Sequence, residues 1–433
     1  MTTTPTGGDP ASWARRLQLT RAVQWFAGNQ GDPYALILRA EADDPTPYEK
    51  QVGAHGPLFY SVQLDTWVTA NGSVAQEVLA DNRFGRLTRS GQRPGERLLP
   101  LAGTALDHDQ DVRRRLGVLT AFGGPVLRTD EDGVRLGVEK TARTLLDGLD
   151  DRFDLAVFAR RLVALTLADL LGIPAGHQAR FEDALTATGR TFDSRLCPQT
   201  LDHALATAAA TGELTTVLGE VHAARPAVSA GGGSLSDPAS SAAPALDPAL
   251  APSTDDQVTA ALALAVGTAE PATTLLCNAV QALMQQPRQW AALAADPGLA
   301  PAAIDEILRL FPPVRLESRV AHEDVTLAGH LLPAESHLVI LIAAAHRDLA
   351  AATDPALGLQ HDPHFAESAP LIRLIAGTAL HTLAETAPTL RPAGEAIRRR
   401  RSPVLHSHAR LPVTRAAGGE MPHDDRPLTE EAI

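Results

Sequence analysis

The sequence predicts a mainly α-helical protein with a few small β-sheets, and three observations carry that prediction. Hydrophobic residues make up 44% of the 433-residue chain while aromatics supply only 4%. Ala, Leu and Val fill the apolar share, and Ala and Leu lose little side-chain freedom in a helix. Apolar residues recur at helical spacing over long segments, whereas alternating stretches are short and few.

Taken in order, residues 1–12 are rich in Pro, Gly and Thr and are expected to be disordered. Trp13, Leu17, Trp25 and Phe26 follow on a predicted N-terminal helix. Large apolar side chains on a peripheral segment suit partner anchoring, because aromatics dominate interface energetics. Alternation predicts strands over 58–63 and 66–70, and helical periodicity covers 154–172 and 201–222. The Pro-, Gly- and Ser-rich stretch 225–256 predicts a long mobile loop. Helices are predicted over 254–284, 300–311 and 370–387, with strands over 317–320, 325–327 and 337–342 between the last two. A tail at 415–433 is expected to be disordered.

Composition narrows the functional classes. A formal charge of −13 opposes non-specific binding to nucleic acid, whose phosphates it repels. The only cysteines, Cys197 and Cys277, form no CxxC pair, which argues against a zinc ribbon or a thioredoxin-type site and fits a reducing cytosol. The N-terminus lacks the basic and apolar regions of a signal peptide, and the apolar runs 258–266 and 338–345 are too short to span a bilayer. A cytoplasmic protein without membrane attachment is expected. No P-loop, dinucleotide fingerprint, nucleophile elbow or HExxH pair is present. His346, His361 and His364 are close in sequence but read as turn histidines rather than metal ligands, and the run Arg398–Arg401 reads as a solvated basic patch.

One ordered constellation is more specific. Glu306 and Arg309 lie three apart on a predicted helix, where they share a face and can pair. Pro312-Pro313 follows, then Arg319 at the head of a predicted hairpin, a hydrophobic strand from His337, and Ala345-His-Arg347-Asp348. Upstream lie Ala265-Val-Gly-Thr-Ala-Glu270-Pro271 and Asp107-His-Asp-Gln-Asp111-Val-Arg-Arg-Arg115. This order resembles the cytochrome P-450 haem-thiolate monooxygenases over about 300 residues. The resemblance implies a single domain of that fold over 13–414. It implies a central helix crossing the haem at Glu270 and a propionate-holding helix at Asp111 to Arg115, with Arg319 a further haem-pocket position.

The departures bear on function. In that family a loop with one Cys, whose thiolate ligates iron, lies between the Arg-Asp turn and the last long helix. Here Asp362-Pro-His-Phe365 runs within five residues into Pro370-Leu-Ile-Arg, so the Cys-ligand loop is essentially deleted. The family's acid–alcohol pair stands as Glu270-Pro271, and Asp111 stands where the family has a His. Proline at 271 removes a backbone N–H and is expected to kink the helix. No catalytic, cofactor-binding or metal-ligating residue is therefore expected, and Asp111, Arg115, Glu270, Pro271 and Arg319 read as vestiges.

Such a combination resembles the haem-less, cytochrome P-450-like auxiliary proteins that activate glycosyltransferases in antibiotic biosynthesis. Residues 17–36, with Trp25 and Tyr34, look most like the members serving anthracycline aminosugar transferases. The resemblance implies a glycosyltransferase partner, with two copies of each protein in the complex. A haem-free, cyclase-like enzyme using Glu270 and a structural subunit of a biosynthetic complex are the alternatives.

Overall fold

The computed structural model describes residues 10–41, 44–85, 131–224, 254–349 and 368–416. The chain opens with α1 (Pro10–Asn29), α2 (Pro33–Arg39) and α3 (Thr46–Ala54), then the hairpin of β1 (Phe59–Ser61) and β2 (Thr66–Thr69). Next come α4 (Gly72–Ala80) and β3 (Phe84–Gly85). A helical block follows: α5 (Glu131–Asp147), β4 (Arg152–Asp154), α6 (Leu155–Leu170), α7 (Ala175–Ala187) and α8 (Leu201–Ala223). The long α9 (Thr254–Met284) leads into α10 (Pro287–Ala295) and α11 (Ala300–Leu310). Beyond them lie β5 (Leu316–Ala321), β6 (Val325–Leu327), β7 (His330–Leu332), β8 (His337–Leu341) and α12 (Ile342–Asp348). The last described part holds α13 (Ser368–Thr386), β9 (Arg391–Pro392), β10 (Ile397–Arg398), β11 (His408–Arg410) and β12 (Pro412–Thr414).

Local chemistry sets several boundaries. Asp32 accepts from the Ala35 amide at 3.0 Å and Pro33 follows it, so a side-chain cap and a fixed φ start α2. Asn71 caps α4, Asp154 caps α6 and Thr200 caps α8 in the same manner. The expected kink at Pro271 does not end α9, which stays helical from Thr254 to Met284. Val266, Ala272 and Leu275 on either side of it are buried, so packing holds the helix where one backbone hydrogen bond is lost.

The main core gathers α5, α6, α8, α9, α11 and α13 around residues such as Leu146, Leu162, Leu214, Leu275, Ile304 and Leu380. Each such Leu or Ile contributes roughly 1.5–3 kcal/mol on leaving water. The window Gln257–Met284 has the length and apolarity to cross a membrane, but 94% of it is buried against its own chain. A second, smaller core lies under a five-stranded sheet of order β1-β2-β8-β5-β3. There β2 and β8 run parallel, and β5 pairs antiparallel with β8, setting Arg319 opposite Leu338. The predicted strands in the first 350 residues and the five predicted helices all appear. Residues 1–9, most of 225–256, the tail from 417, Asp111, Arg115, His361, His364 and 362–367 lie outside the described residues. Residues 254–256, predicted both in the loop and in the helix, begin α9.

Candidate functional site

The constellation in the C-terminal half resolves into structural ties. Glu306 and Arg309 pair at 2.7 Å on α11, partly exposed, a geometry that contributes little by itself. Arg319 on β5 is buried and donates to Glu317 and, at 2.9 Å, to the Ser318 carbonyl. Arg315 at 2.7 Å and Arg347 both clamp Glu49 of α3, which is only 1% exposed. Burial works against that carboxylate, yet the two guanidiniums hold its pKa below the ordinary value. Asp348 accepts from the Gly72 amide and the Asn71 side chain, each at 2.8 Å, and so closes the start of α4. Arg315, Arg347 and Asp348 thus fasten the N-terminal block to the C-terminal half.

A second buried seam joins α9 to the C-terminal hairpin β10–β11. Glu270, 5% exposed, lies 2.9 Å from Arg399 and 4.0 Å from Arg160 of α6. The Arg399 approach is a close ion contact that lacks hydrogen-bond alignment at Glu270 Oε1. Gly189 permits it, because a Cβ there would stand 2.8 Å from the carboxylate and 3.0 Å from Arg399. One turn beyond, Arg398 donates to Asn278 at 3.0 Å, Gln281 at 2.8 Å and the His406 carbonyl at 2.8 Å. His408 lies 2.7 Å from Gln281, and burial among Arg398 and Arg160 drives its pKa well below the usual imidazole value. Asp193 accepts from the Ser402 hydroxyl at 2.7 Å and from the amides of Val404 and Leu405 at 2.9 and 3.1 Å. Burial pushes its carboxyl up to about 6 despite those donors.

This seam corrects the reading of Arg398–Arg401 as a solvated patch. Arg398 and Arg399 turn into the polar stripe of α9, and Arg401 reaches the Pro198 carbonyl at 3.3 Å. Only Arg400 of the four is exposed. Paired acceptors at Asn278 and Gln281, three apart on α9, were the signal that could have placed them.

The chemistry of the donor set does not fit a thiolate-bound haem. Such a group needs an anionic sulfur. Both sulfurs, of Cys197 and Cys277, are instead buried at 0% exposure among atoms of their own chain. Cys277 is packed inside the main core on α9 itself, and Cys197 is buried beside Arg21, whose Nη1 lies 3.6 Å from the sulfur. Glu270 and Arg319, two positions that would face the group, are engaged with partners of their own. Among the described residues no set of three His, Cys, Asp or Glu side chains is placed to hold a metal ion.

On α1 the four candidate anchors separate. Leu17 is 4% exposed and faces its own chain, so it belongs to the core side of the helix rather than to an outward surface. Trp13 is partly buried. Trp25 lies under the Arg39 guanidinium, 4.4 Å from the ring centroid, and Arg39 also donates to the Trp25 carbonyl and to Asn29 at 2.7 Å. Phe26 is 60% exposed, as is Leu19, with Val23 at 45%. Sequence reading missed Leu19 and Val23, although Leu19, Val23 and Phe26 recur at i, i+4 and i+7.

Residues 280–356 match the family described as cytochrome P-450. The chain is 47% identical over 432 residues to Protein TylM3 of Streptomyces fradiae, covering 95% of each. It is 35% identical over 436 residues to Protein AknT of Streptomyces galilaeus, covering 93% of this chain and 96% of that one. Among solved structures, ligand-free CYP164A2 of Mycobacterium smegmatis superposes with a TM-score of 0.70 at 27% identity, covering 88% of this chain and 99% of that one.

Proposed function

The chain belongs to the cytochrome P-450 family, and from that premise we propose that it is a non-catalytic auxiliary protein that binds and activates a glycosyltransferase of antibiotic biosynthesis. The observation that carries this reading is that both cysteines of a cytochrome P-450 scaffold are buried away from any ligand loop, Cys277 in the main core on α9 and Cys197 beside Arg21. A monooxygenase of this family needs a thiolate, so the scaffold's use is sought at its surface. Likeness to TylM3 and AknT over nearly the full chain supports the same placement.

The finer reading is transfer of a deoxyaminosugar to a polyketide aglycone, in a complex with two copies of each protein, in the cytoplasm. An anthracycline-type aglycone rests on residues 17–36 alone, and the 47% identity to TylM3 against 35% to AknT lends it no separate support. The mechanism is linkage. A protein that binds only the competent state of the transferase raises that state's population, by a factor set by its differential affinity. No catalytic group need be supplied by the activator. Glu270 is a poor candidate for a haem-free reaction, because it is 5% exposed and lies against Arg399 and Arg160 of its own chain.

Purified chain mixed with a candidate glycosyltransferase and its nucleotide-sugar tests the proposal. The expected result is co-elution and sugar transfer in the mixture only. Turnover by this chain alone would point to a haem-free enzyme. Co-elution without a rate change would leave a structural subunit. A purified protein with the absorption of thiolate-bound haem would overturn all three.

A further inference from the structure

The strongest unabsorbed feature is the outward face of α1. At 100° per residue, Arg15, Leu19, Ala22 and Phe26 fall along one line of the helix, with Val23 and Arg16 beside it. The opposite arc holds Leu17, Gln24, Ala27 and Gly28, all buried. Gln24 donates to the Leu196 carbonyl at 2.8 Å and Arg21 to the carbonyls of Leu38 and Arg39, so α1 is fixed in its rotation. The helix therefore presents three large apolar side chains to solvent along roughly 10 Å of its length.

The charge on this helix differs from that of the whole. α1 contains three arginines and no Asp or Glu, in a chain of net charge −13. Arg21 is turned inward by its backbone acceptors, whereas Arg15 and Arg16 are exposed at the N-terminal end of the apolar line. An occupant must then match an apolar stripe that ends in positive charge. A second copy of this chain would set arginines against arginines in parallel or leave them unmatched in antiparallel packing.

We infer that this face, Leu19, Ala22, Val23 and Phe26 with Arg15 and Arg16, seats an amphipathic helix of the partner glycosyltransferase whose apolar stripe ends in carboxylates. The inference rests on the transferase-activator reading and names the surface that reading uses. Helix-on-helix docking takes its affinity from anchors at i, i+4 and i+7 and its register from the charged end. Trp25, 39% exposed with Arg39 against its ring, lies to one side of this line and is not one of its anchors.

The test uses the full chain and a co-expressed candidate transferase. Leu19→Gln with Phe26→Gln keeps good helix formers and is expected to leave the melting temperature unchanged while weakening binding at least about tenfold. Activation of sugar transfer should be lost at low concentration and recovered when the variant is raised by the same factor. Should the glutamine pair lower the melting temperature, Leu19→Ala with Phe26→Ala gives the same readout without buried polarity. Arg15→Glu with Arg16→Glu should slow association, with the difference closing as salt is added. If wild-type chain binds the transferase and both variant pairs bind it equally, this face is wrong and the activator reading stands. If wild-type chain does not bind it, both fall. Variants that lose binding to anionic phospholipid vesicles, or lose self-association, while keeping transferase affinity would assign the face elsewhere and overturn the inference.

Discussion

The seam beneath α9 and the outward face of α1 handle their exceptional residues in opposite ways. Around α9, charged side chains lie in the interior, and almost every one meets a partner from its own chain: Glu270 meets Arg399, Arg398 meets Asn278 and Gln281, and Asp193 meets Ser402. On α1, apolar side chains face water, with Leu19 and Phe26 each 60% exposed. A buried ion that is already matched has little left for chemistry, whereas exposed apolar area is stabilised only by covering it. The difference teaches that the interior charges, matched within their own chain, hold the fold together, and that the exposed apolar surface of α1 is on the periphery.

The largest expected effect tests the same principle at another buried ion cluster, around Glu49 of α3. Glu49→Ala strands Arg315 and Arg347 without their buried carboxylate, and removing one member of such a cluster costs about 3–5 kcal/mol. Urea denaturation monitored by circular dichroism should show the midpoint fall at unchanged slope. A loss below about 1 kcal/mol would mean that these ions are solvated after all.

Asp193 gives a pH-dependent version. Its carboxyl is raised to about 6 from an ordinary 3.8, so the folded state binds the proton more tightly than the unfolded chain does. The stability from this group is therefore fully present below 3.8 and is lost as pH rises through about 6, an effect on the order of 3 kcal/mol. Asp193→Asn keeps an acceptor for the Val404 and Leu405 amides and offers a donor to Ser402. The difference in unfolding free energy between wild type and variant should change across pH 4 to 7, with the variant favoured at the upper end. A flat difference would show that the carboxylate is not desolvated.

Gly189→Ala is the next smaller change. The added methyl meets Glu270 and Arg399 at 2.8 and 3.0 Å and forces the pair apart, at a cost of about 1–2 kcal/mol. Transferase activation at saturating concentration should persist, measured as initial rate of sugar transfer. A specific loss of activation with folding intact would restore a role for the Glu270 region.

Much of this was legible beforehand because it is local. The helices over 154–172, 201–222, 254–284, 300–311 and 370–387 announce themselves by apolar periodicity, and the order from Glu306 to Asp348 points to the scaffold. The polar seam was not legible. Arg398 and Arg399 read as solvated charge because their acceptors, Asn278, Gln281 and Glu270, lie more than a hundred residues upstream and come near only through the packing of α9. The same cause hides the neighbours of α1. Arg39, fourteen residues from Trp25 in sequence, lies against its ring, which is still 39% exposed. The rotation of α1 that buries Leu17 and exposes Leu19 is set by tertiary bonds such as Gln24 to Leu196. Periodicity alone does not fix it, since both sides of this helix carry apolar residues.

The smallest effect on stability sharpens the contrast most. Leu17 and Phe26 lie on one helix, nine residues apart and on opposite sides, so truncating each reads the two sides separately. Leu17→Ala empties a buried site and should cost about 2–4 kcal/mol, with transferase affinity unchanged wherever the variant remains folded. Phe26→Ala removes a larger side chain, yet one already in water, and should move the unfolding free energy by less than about 0.5 kcal/mol. Its effect belongs on the affinity for the transferase instead, read by titration calorimetry beside the thermal melt. An equal and large drop in melting temperature for the two variants would mean that Phe26 is covered by its own chain, and the outward face of α1 would then have nothing to offer a partner.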